Sequence, residues 1–234
     1  MTIRKIYNSF HRLLPIGGCL VCALLLSSCE SDSYDKGEGE LSLTTAEFVE
    51  AHANDKKQMD FVVTDNGELL KLSIQPSVKW MTTPDSLYRA LLYYNNIGEG
   101  IIEPLSITQV PTLSIYPDWQ IKNIKTDPVT FESIWQSANG KYLNMAFYLK
   151  IGEVGKDAEL HTISMIQDTI ITNTDGSTTA YMQLFHDQGD MPEHYSSKCY
   201  ISIPRDSIKA DSIYIDINTY KGKVNKKMAL KSNL

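Results

Sequence analysis

Nothing in this chain of 234 residues reads as a membrane-spanning segment: the apolar stretch from Leu13 to Leu26 is broken near its start by Pro15, Gly17 and Gly18. A spanning helix needs roughly 18 to 20 unbroken apolar residues. Cysteine is scarce, with four in all, and Cys19 and Cys22 lie inside that stretch. Bases are in short supply as well, 22 Lys and Arg against 28 acids for a net charge of −6. Residues 1–28 hold Arg4, Lys5 and Arg12 and no acid, so the chain beyond them has 19 bases against the same 28 acids, or −9. Nucleic acid and anionic surfaces are held by clustered Lys and Arg that displace counterions, so no nucleic-acid partner is expected. The motifs of common enzymes are also missing. There is no GxSxG elbow and no HExxH, and NIGEGI (Asn96 to Ile101) lacks the Lys-Ser/Thr ending and following helix of a phosphate loop. No catalytic residue and no cofactor is assigned.

What is present begins at the first residue. MTIRKIYNSFHR followed by a short apolar run has the layout of a secretory signal. Its end admits two readings. A peptidase that accepts small residues would cut after Ser27 or Ser28 and release a soluble protein. Alternatively, LSSC (Leu26 to Cys29) is a lipobox: this resembles the signal of a bacterial lipoprotein, cut after Ser28, with Cys29 taking the lipid. The thiolate is the nucleophile such a transfer needs. Leu three before the cysteine and small residues at the two positions before it favour the lipobox. Two or three acyl chains on Cys29 would hold the protein permanently to the membrane, the outer membrane of a cell envelope. Cys199 is then the only free thiol, so no intramolecular disulfide can form. ESDSYDKGEGE, after Cys29, is too polar to bury surface and reads as a tether over 29–40. Its acids resemble the export signal of surface-displayed lipoproteins, which leaves the periplasmic and the surface face both open.

The remainder reads as all-β. TTAEFVEAHA, with Thr44 and Glu47 spaced as a capping box, fits a short helix and a strand about equally. MDFVVTDNGELLKLSI is a hairpin in which Asn66 and Gly67 are expected to supply positive φ. Further apolar runs, with Pro104 and Pro111 as strand ends, complete a small barrel over 41–118. After DWQIKNIKTDP, six strands with turns between them, from TFESIW to SIYIDINTY, predict an antiparallel β-sandwich over 125–222. In YLNMAFYLK, Leu143, Met145 and Phe147 alternate with Asn144, Ala146 and Tyr148 as in a half-buried strand. Residues 223–234, locally basic, read as a solvated tail.

Two constellations bear on chemistry. HDQGDMPEHY brings His186, Asp187, Asp190, Glu193 and His194 close in sequence, and His186, Asp190 and His194 are the residues a divalent metal would draw on. No fixed spacing holds them on one face, so no metal site is assigned, and a metal-dependent hydrolase is the least favoured function. His161 and His52 read as structural. Thirteen tyrosines, with Tyr88, Tyr93, Tyr94 and Tyr116 falling between Trp80 and Trp119, offer an aromatic platform for sugar or protein, with Trp80, Tyr93 and Trp119 as the ligand-binding candidates. The competing reading is that tyrosine is simply a good strand former.

Taken in order, the lipobox cysteine, the acidic tether, MDFVVTDNGELLKL, GKYLNMAFYLKIG and HDQGDMPEHYSSKCYISIP resemble the NigD-like lipoproteins. The resemblance implies an N-terminal OB-like barrel followed by a C-terminal β-sandwich. It also implies a non-catalytic binding role, the family's namesake being linked to a bacteriocin locus as an inferred immunity protein. Partners would be the membrane, through the lipid on Cys29, and an unidentified protein or glycan. The alternative is an accessory surface lipoprotein for glycan or nutrient capture. Cys29→Ala is expected to leave an unprocessed precursor that palmitate no longer labels; normal cleavage and labelling of that variant would refute the lipobox.

Overall fold

A computed structural model describes residues 44–231, so Ser28, Cys29, the signal over 1–28 and the tether over 29–40 lie outside the described residues. Five strands form a closed barrel in the order β1-β2-β3-β5-β4: β1 (Thr44–Ala53), β2 (Met59–Thr64), β3 (Leu69–Leu72), β4 (Ser86–Gly98) and β5 (Ile101–Gln109). With β3 parallel to β5, this is the OB-like barrel the sequence led us to expect. The stretch with the helix-or-strand ambiguity is β1. Val49, Ala51 and Ala53 point at period two into the barrel and are fully buried, and the strand is paired with β4 along its whole length. Glu47 does not cap a helix; its carboxylate accepts a hydrogen bond from Tyr94 Oη at 3.0 Å. The β2–β3 hairpin closes with Thr64 N–H donating to Glu68 O, which leaves a three-residue loop in which only Gly67 (φ 85°) is left-handed. Asn66 therefore does not need the positive φ expected of it, because a loop of this length asks for it only at the last position. Pro104 is not a strand end either. It sits inside β5 at a bulge, where Tyr93 pairs with Ser106 and Tyr94 with Pro104.

The second module is a sandwich of a five-stranded sheet, β13-β12-β10-β9-β6, and a three-stranded sheet, β11-β8-β7. Its strands are β6 (Ile115–Pro117), β7 (Thr130–Gln136), β8 (Tyr142–Ile151), β9 (Thr162–Thr172), β10 (Thr178–Asp187), β11 (Tyr195–Pro204), β12 (Ser212–Thr219) and β13 (Gly222–Ala229). The six expected strands are present, joined by two more. β6, placed by the sequence reading with the barrel, pairs in parallel with β9. The basic stretch read as a solvated tail is largely β13, paired with β12 from Ser212↔Ala229 to Thr219↔Gly222. Its alternating exposure keeps Val224 and Met228 partly covered while Lys223 and Lys227 face water, the lysine-rich dress of an edge strand that must not recruit another. β10 and β12 also run parallel, a pairing that requires a crossover through β11. The core is built from Leu143, Met145 and Phe147 of β8, Met182 of β10, Ile201 and Ile203 of β11, and Ile213, Ile215 and Ile217 of β12.

β8 was expected to be half-buried, yet Asn144 and Ala146 are as buried as the core residues beside them. The barrel covers that face. Phe48 of β1 stands edge-on between Trp135 and Tyr200, with ring centroids 5.6 and 5.3 Å away. Next to it the Arg89 guanidinium, side chain fully buried, donates to both carboxylate oxygens of Asp65 at 2.6 and 2.7 Å. Its remaining bonds cross to the sandwich: Nε to Ser202 Oγ and Nη2 to Asn144 Oδ1, each 3.3 Å. The cation also lies 4.2 Å from the centroid of the Tyr142 ring. Ser202 Oγ donates to the same Asn144 oxygen at 2.7 Å, which leaves Asn144 Nδ2 buried without a partner among the described residues. Glu50 extends the network, accepting from Tyr142 Oη and Lys141 Nζ, each at 2.9 Å. Burial, and then the Glu50 carboxylate, push the Tyr142 hydroxyl well above its usual pKa, so it remains a donor.

A buried charge stripped of its counterion costs about 3–5 kcal/mol. Asp65→Ala is therefore expected to lower unfolding free energy by that order, while the Asp65→Ala/Arg89→Met double variant loses less than Asp65→Ala alone. Urea titrations of the three proteins would show it; additive losses would refute a coupled pair.

Candidate functional site

An apolar cleft of about 190 Å³ lies at one end of the sandwich, lined by Val129, Phe131, Tyr220, Lys221 and Val224. It exists because β10 and β12 splay apart past Gln183↔Asp216, and the chain between β6 and β7 fills the fork. The backbone N–H of His186 donates to Lys125 O, that of Asp127 to His186 O and that of Val129 to Asn218 O, and Asn218 Nδ2 donates to Thr126 O at 2.7 Å. Segment 125–129 is thus stitched into the sheet and then becomes the cleft wall.

Loops surround this end. Tyr220 Oη donates to Glu193 at 3.1 Å, which ties the β12–β13 turn to the β10–β11 loop. That loop is clamped to the β8–β9 loop: Asp190 N–H donates to Glu159 O, and Glu159 N–H donates to the Asp190 carboxylate. Gly189 sits at the crossing with φ 58°, and a Cβ there would fall 2.5 Å from Glu159 O. Lys125 and Asp187 pair at 2.7 Å, and the lysine's hydrogen bond holds the Asp187 carboxyl below the usual carboxylate range.

Beneath the loops, His186 is buried (1% exposed), with Nδ1 2.9 Å from Asp127 O and Nε2 2.9 Å from His161 Nδ1. His161 Nε2 lies 2.9 Å from Lys150 O. Burial, chiefly, holds the His186 pKa below its ordinary value. The metal candidates of the sequence reading are not gathered around one point. His186 faces His161, Asp190 serves the loop clamp, and His194 packs beside Gly152. Among the described residues no group of three or more His, Cys, Asp or Glu is placed to hold a metal ion. The partner of His186 is thus the histidine read as merely structural, because β9 and β10 pair with His186 opposite Ile163, near His161. His52, the other, bonds Asp60 at 2.7 Å and stacks on Phe61.

The aromatic candidates separate too. Trp80 packs against the barrel core, edge-on to Tyr88. Tyr93 lies on the barrel's outer wall at 41% exposure, its neighbour Tyr94 pointing inward, and Trp119 stands 78% exposed in a 3-10 turn of the sandwich module. Cys199 is half-buried with its thiol pKa raised by burial, an inert setting for sulfur. A second cleft, about 440 Å³, opens where Val63 and Gly67 of the barrel meet Ala138, Asn139 and Lys141 of the sandwich.

A closed OB-like barrel fastened to a β-sandwich, with an apolar cleft framed by loops at the sandwich's end, defines a two-module all-β protein. Residues 112–231 match the family model of the NigD-like C-terminal beta sandwich domain, and the chain belongs to the NigD-like family. Solved structures share the fold: a NigD-like immunity protein from Bacteroides caccae is 22% identical with a TM-score of 0.61, covering 79% of this chain and 96% of that one. A protein of unknown function from Bacteroides vulgatus is 18% identical (TM-score 0.61; 81% and 92% covered), and a candidate lipoprotein from Bacteroides fragilis 14% identical (TM-score 0.57; 82% and 100% covered). The curated proteins contain no match. Among the described residues no helix is long and apolar enough to cross a membrane.

A left-handed non-glycine residue costs about 1–2 kcal/mol. Gly176→Ala (φ 84°, open surroundings) is expected to cost that alone, and Gly189→Ala more, because its methyl meets the Glu159 backbone. Equal shifts in the urea midpoint would contradict the clamp.

Proposed function

We propose that this protein is a lipid-anchored envelope protein that works by binding a protein ligand, of the immunity type, and not by catalysis. One observation carries the reading: the cleft at the sandwich end has a mostly apolar lining, and the His161 and His186 imidazoles, two residues of chain away from it at Asp127, are committed to backbone carbonyls and to each other. Such a site offers contact area, and apolar clefts framed by loops on a rigid sheet are where sandwich proteins usually recognise partners. The LSSC junction adds the anchor on Cys29 in the outer membrane, and the acidic run after it agrees with display at the surface. Likeness to a protein named a NigD-like immunity protein agrees with the immunity role, and the family resemblance suggests a bacteriocin-type peptide as the ligand. Glycan capture has less in its favour, since Trp80 is spent on the barrel core and Tyr93 and Trp119 stand on different modules.

The intact protein is expected to form a complex with a peptide toxin encoded beside it, and Phe131→Asp at the cleft to weaken that complex at least tenfold in a titration. Cells lacking the gene should become sensitive to that toxin. Unchanged resistance to every bacteriocin of close relatives would end the immunity reading.

A further inference from the structure

Three contacts run in series from one backbone carbonyl to another. They are His161 Nε2 to Lys150 O, His161 Nδ1 to His186 Nε2, and His186 Nδ1 to Asp127 O, each 2.9 Å. A carbonyl oxygen only accepts, so both outer nitrogens carry protons, and a neutral imidazole has one N–H to give. With both rings neutral, the two inner nitrogens would therefore meet lone pair to lone pair. Three contacts need three protons, and two neutral rings supply two.

We propose that the His161–His186 pair is a proton-binding site: the folded chain holds one extra proton between the inner nitrogens, and that proton latches the cleft-wall segment 125–129 to the β8–β9 loop. His186 is the neutral acceptor. It is the more buried ring, and its surroundings disfavour charge on it. His161, half-buried, carries both N–H groups, one to Lys150 O and one to His186 Nε2. The charged groups on the neighbouring elements favour a cation. Asp127 and Lys125 lie on the crossover, Asp187 on β10, Glu159 on the β8–β9 loop and Asp190 beyond β10, while Lys150 enters through its backbone oxygen. Lys125 is paired with Asp187, so the acids outnumber the bases around the pair. His194, beside Gly152, is the third imidazole at this end and takes no place in the chain of contacts.

Proton count sets the sign on both sides. As pH rises, the shared proton leaves, the inner nitrogens repel, and the contribution held by the one-proton state is lost. As pH falls below the unfolded imidazole value of about 6.5, the lowered folded pKa of His186 takes effect. Its neutral form contributes stability above that value, and the contribution is lost as pH drops through the folded one. The latch is thus tightest at one proton and weakens in both directions.

Nitrogen-15 spectra of the ring nitrogens in the intact protein at pH 6 are expected to show one imidazolium, His161, beside one neutral ring protonated at Nδ1. Amide exchange across 152–161, corrected for its intrinsic pH dependence, should quicken about tenfold between pH 6.5 and 8.5, the equivalent of one pKa unit of coupling. His161→Gln should abolish that pH dependence. Two neutral rings at pH 6, or exchange in the unsubstituted protein that does not change with pH, would overturn the proposal, and neither readout depends on the variant folding.

Discussion

A single guanidinium, that of Arg89, sets the relation between the two halves of this fold. It leaves β4 on the outer wall of the barrel, where a side chain would ordinarily reach water, and is instead fully enclosed. The Asp65 carboxylate, from the hairpin loop next door, neutralises it with two bonds in the planar geometry that arginine alone offers. Because Asp65 belongs to the barrel, the charge is already balanced before the sandwich arrives. What the sandwich adds around the guanidinium itself is neutral: the Ser202 and Asn144 oxygens and the faces of Tyr142 and, through Phe48, of Trp135 and Tyr200. A polar anchor of this kind demands one register, since a slip of one residue on β8 would put a core methyl where Asn144 accepts. The unpartnered Asn144 amide nitrogen fits the same account. Its oxygen must face two donors, so its nitrogen is turned into protein and left unpaired at some cost in stability.

The far end of the sandwich solves a different problem. Two parallel strands that diverge leave backbone groups open, and the chain between β6 and β7 closes them by pairing with both. That repair makes the cleft, because the same segment continues into Val129 and Phe131 on its wall. The imidazole pair sits under the repair and takes one carbonyl from it and one from β8. Wall, loops and buried histidines are mechanically one assembly, so whatever binds in the cleft and whatever protonates the pair act on the same segment.

Local pattern carried the sequence reading a long way. The strands from TFESIW to SIYIDINTY alternate strongly enough to be placed within a few residues, and the hairpin at Gly67 follows from a glycine that only a left-handed position explains. It stumbled where an element's identity depends on a distant partner. Thr44 to Ala53 carries a respectable helix start and becomes a strand because β4 offers it ten consecutive pairings. The basic stretch after Tyr220 looks like a tail, and β12 makes it an edge strand. At the candidate site, histidines grouped in sequence invited a shared role, whereas the pairing of β9 with β10 set His186 against His161, 25 positions away, and left His194 aside.

Sequence by itself determined that this is an acidic, all-β, two-module chain preceded by a lipobox-like junction, because charge balance, period-two alternation and a signal's layout are written in neighbouring residues. Only the tertiary structure decided that Arg89 is the internal anchor, that the second face of β8 is buried, and that two histidines share a chain of contacts between carbonyls. Those depend on which surfaces meet after the strands have paired, and no local pattern encodes a contact between residues such as Arg89 and Ser202, which lie 113 positions apart.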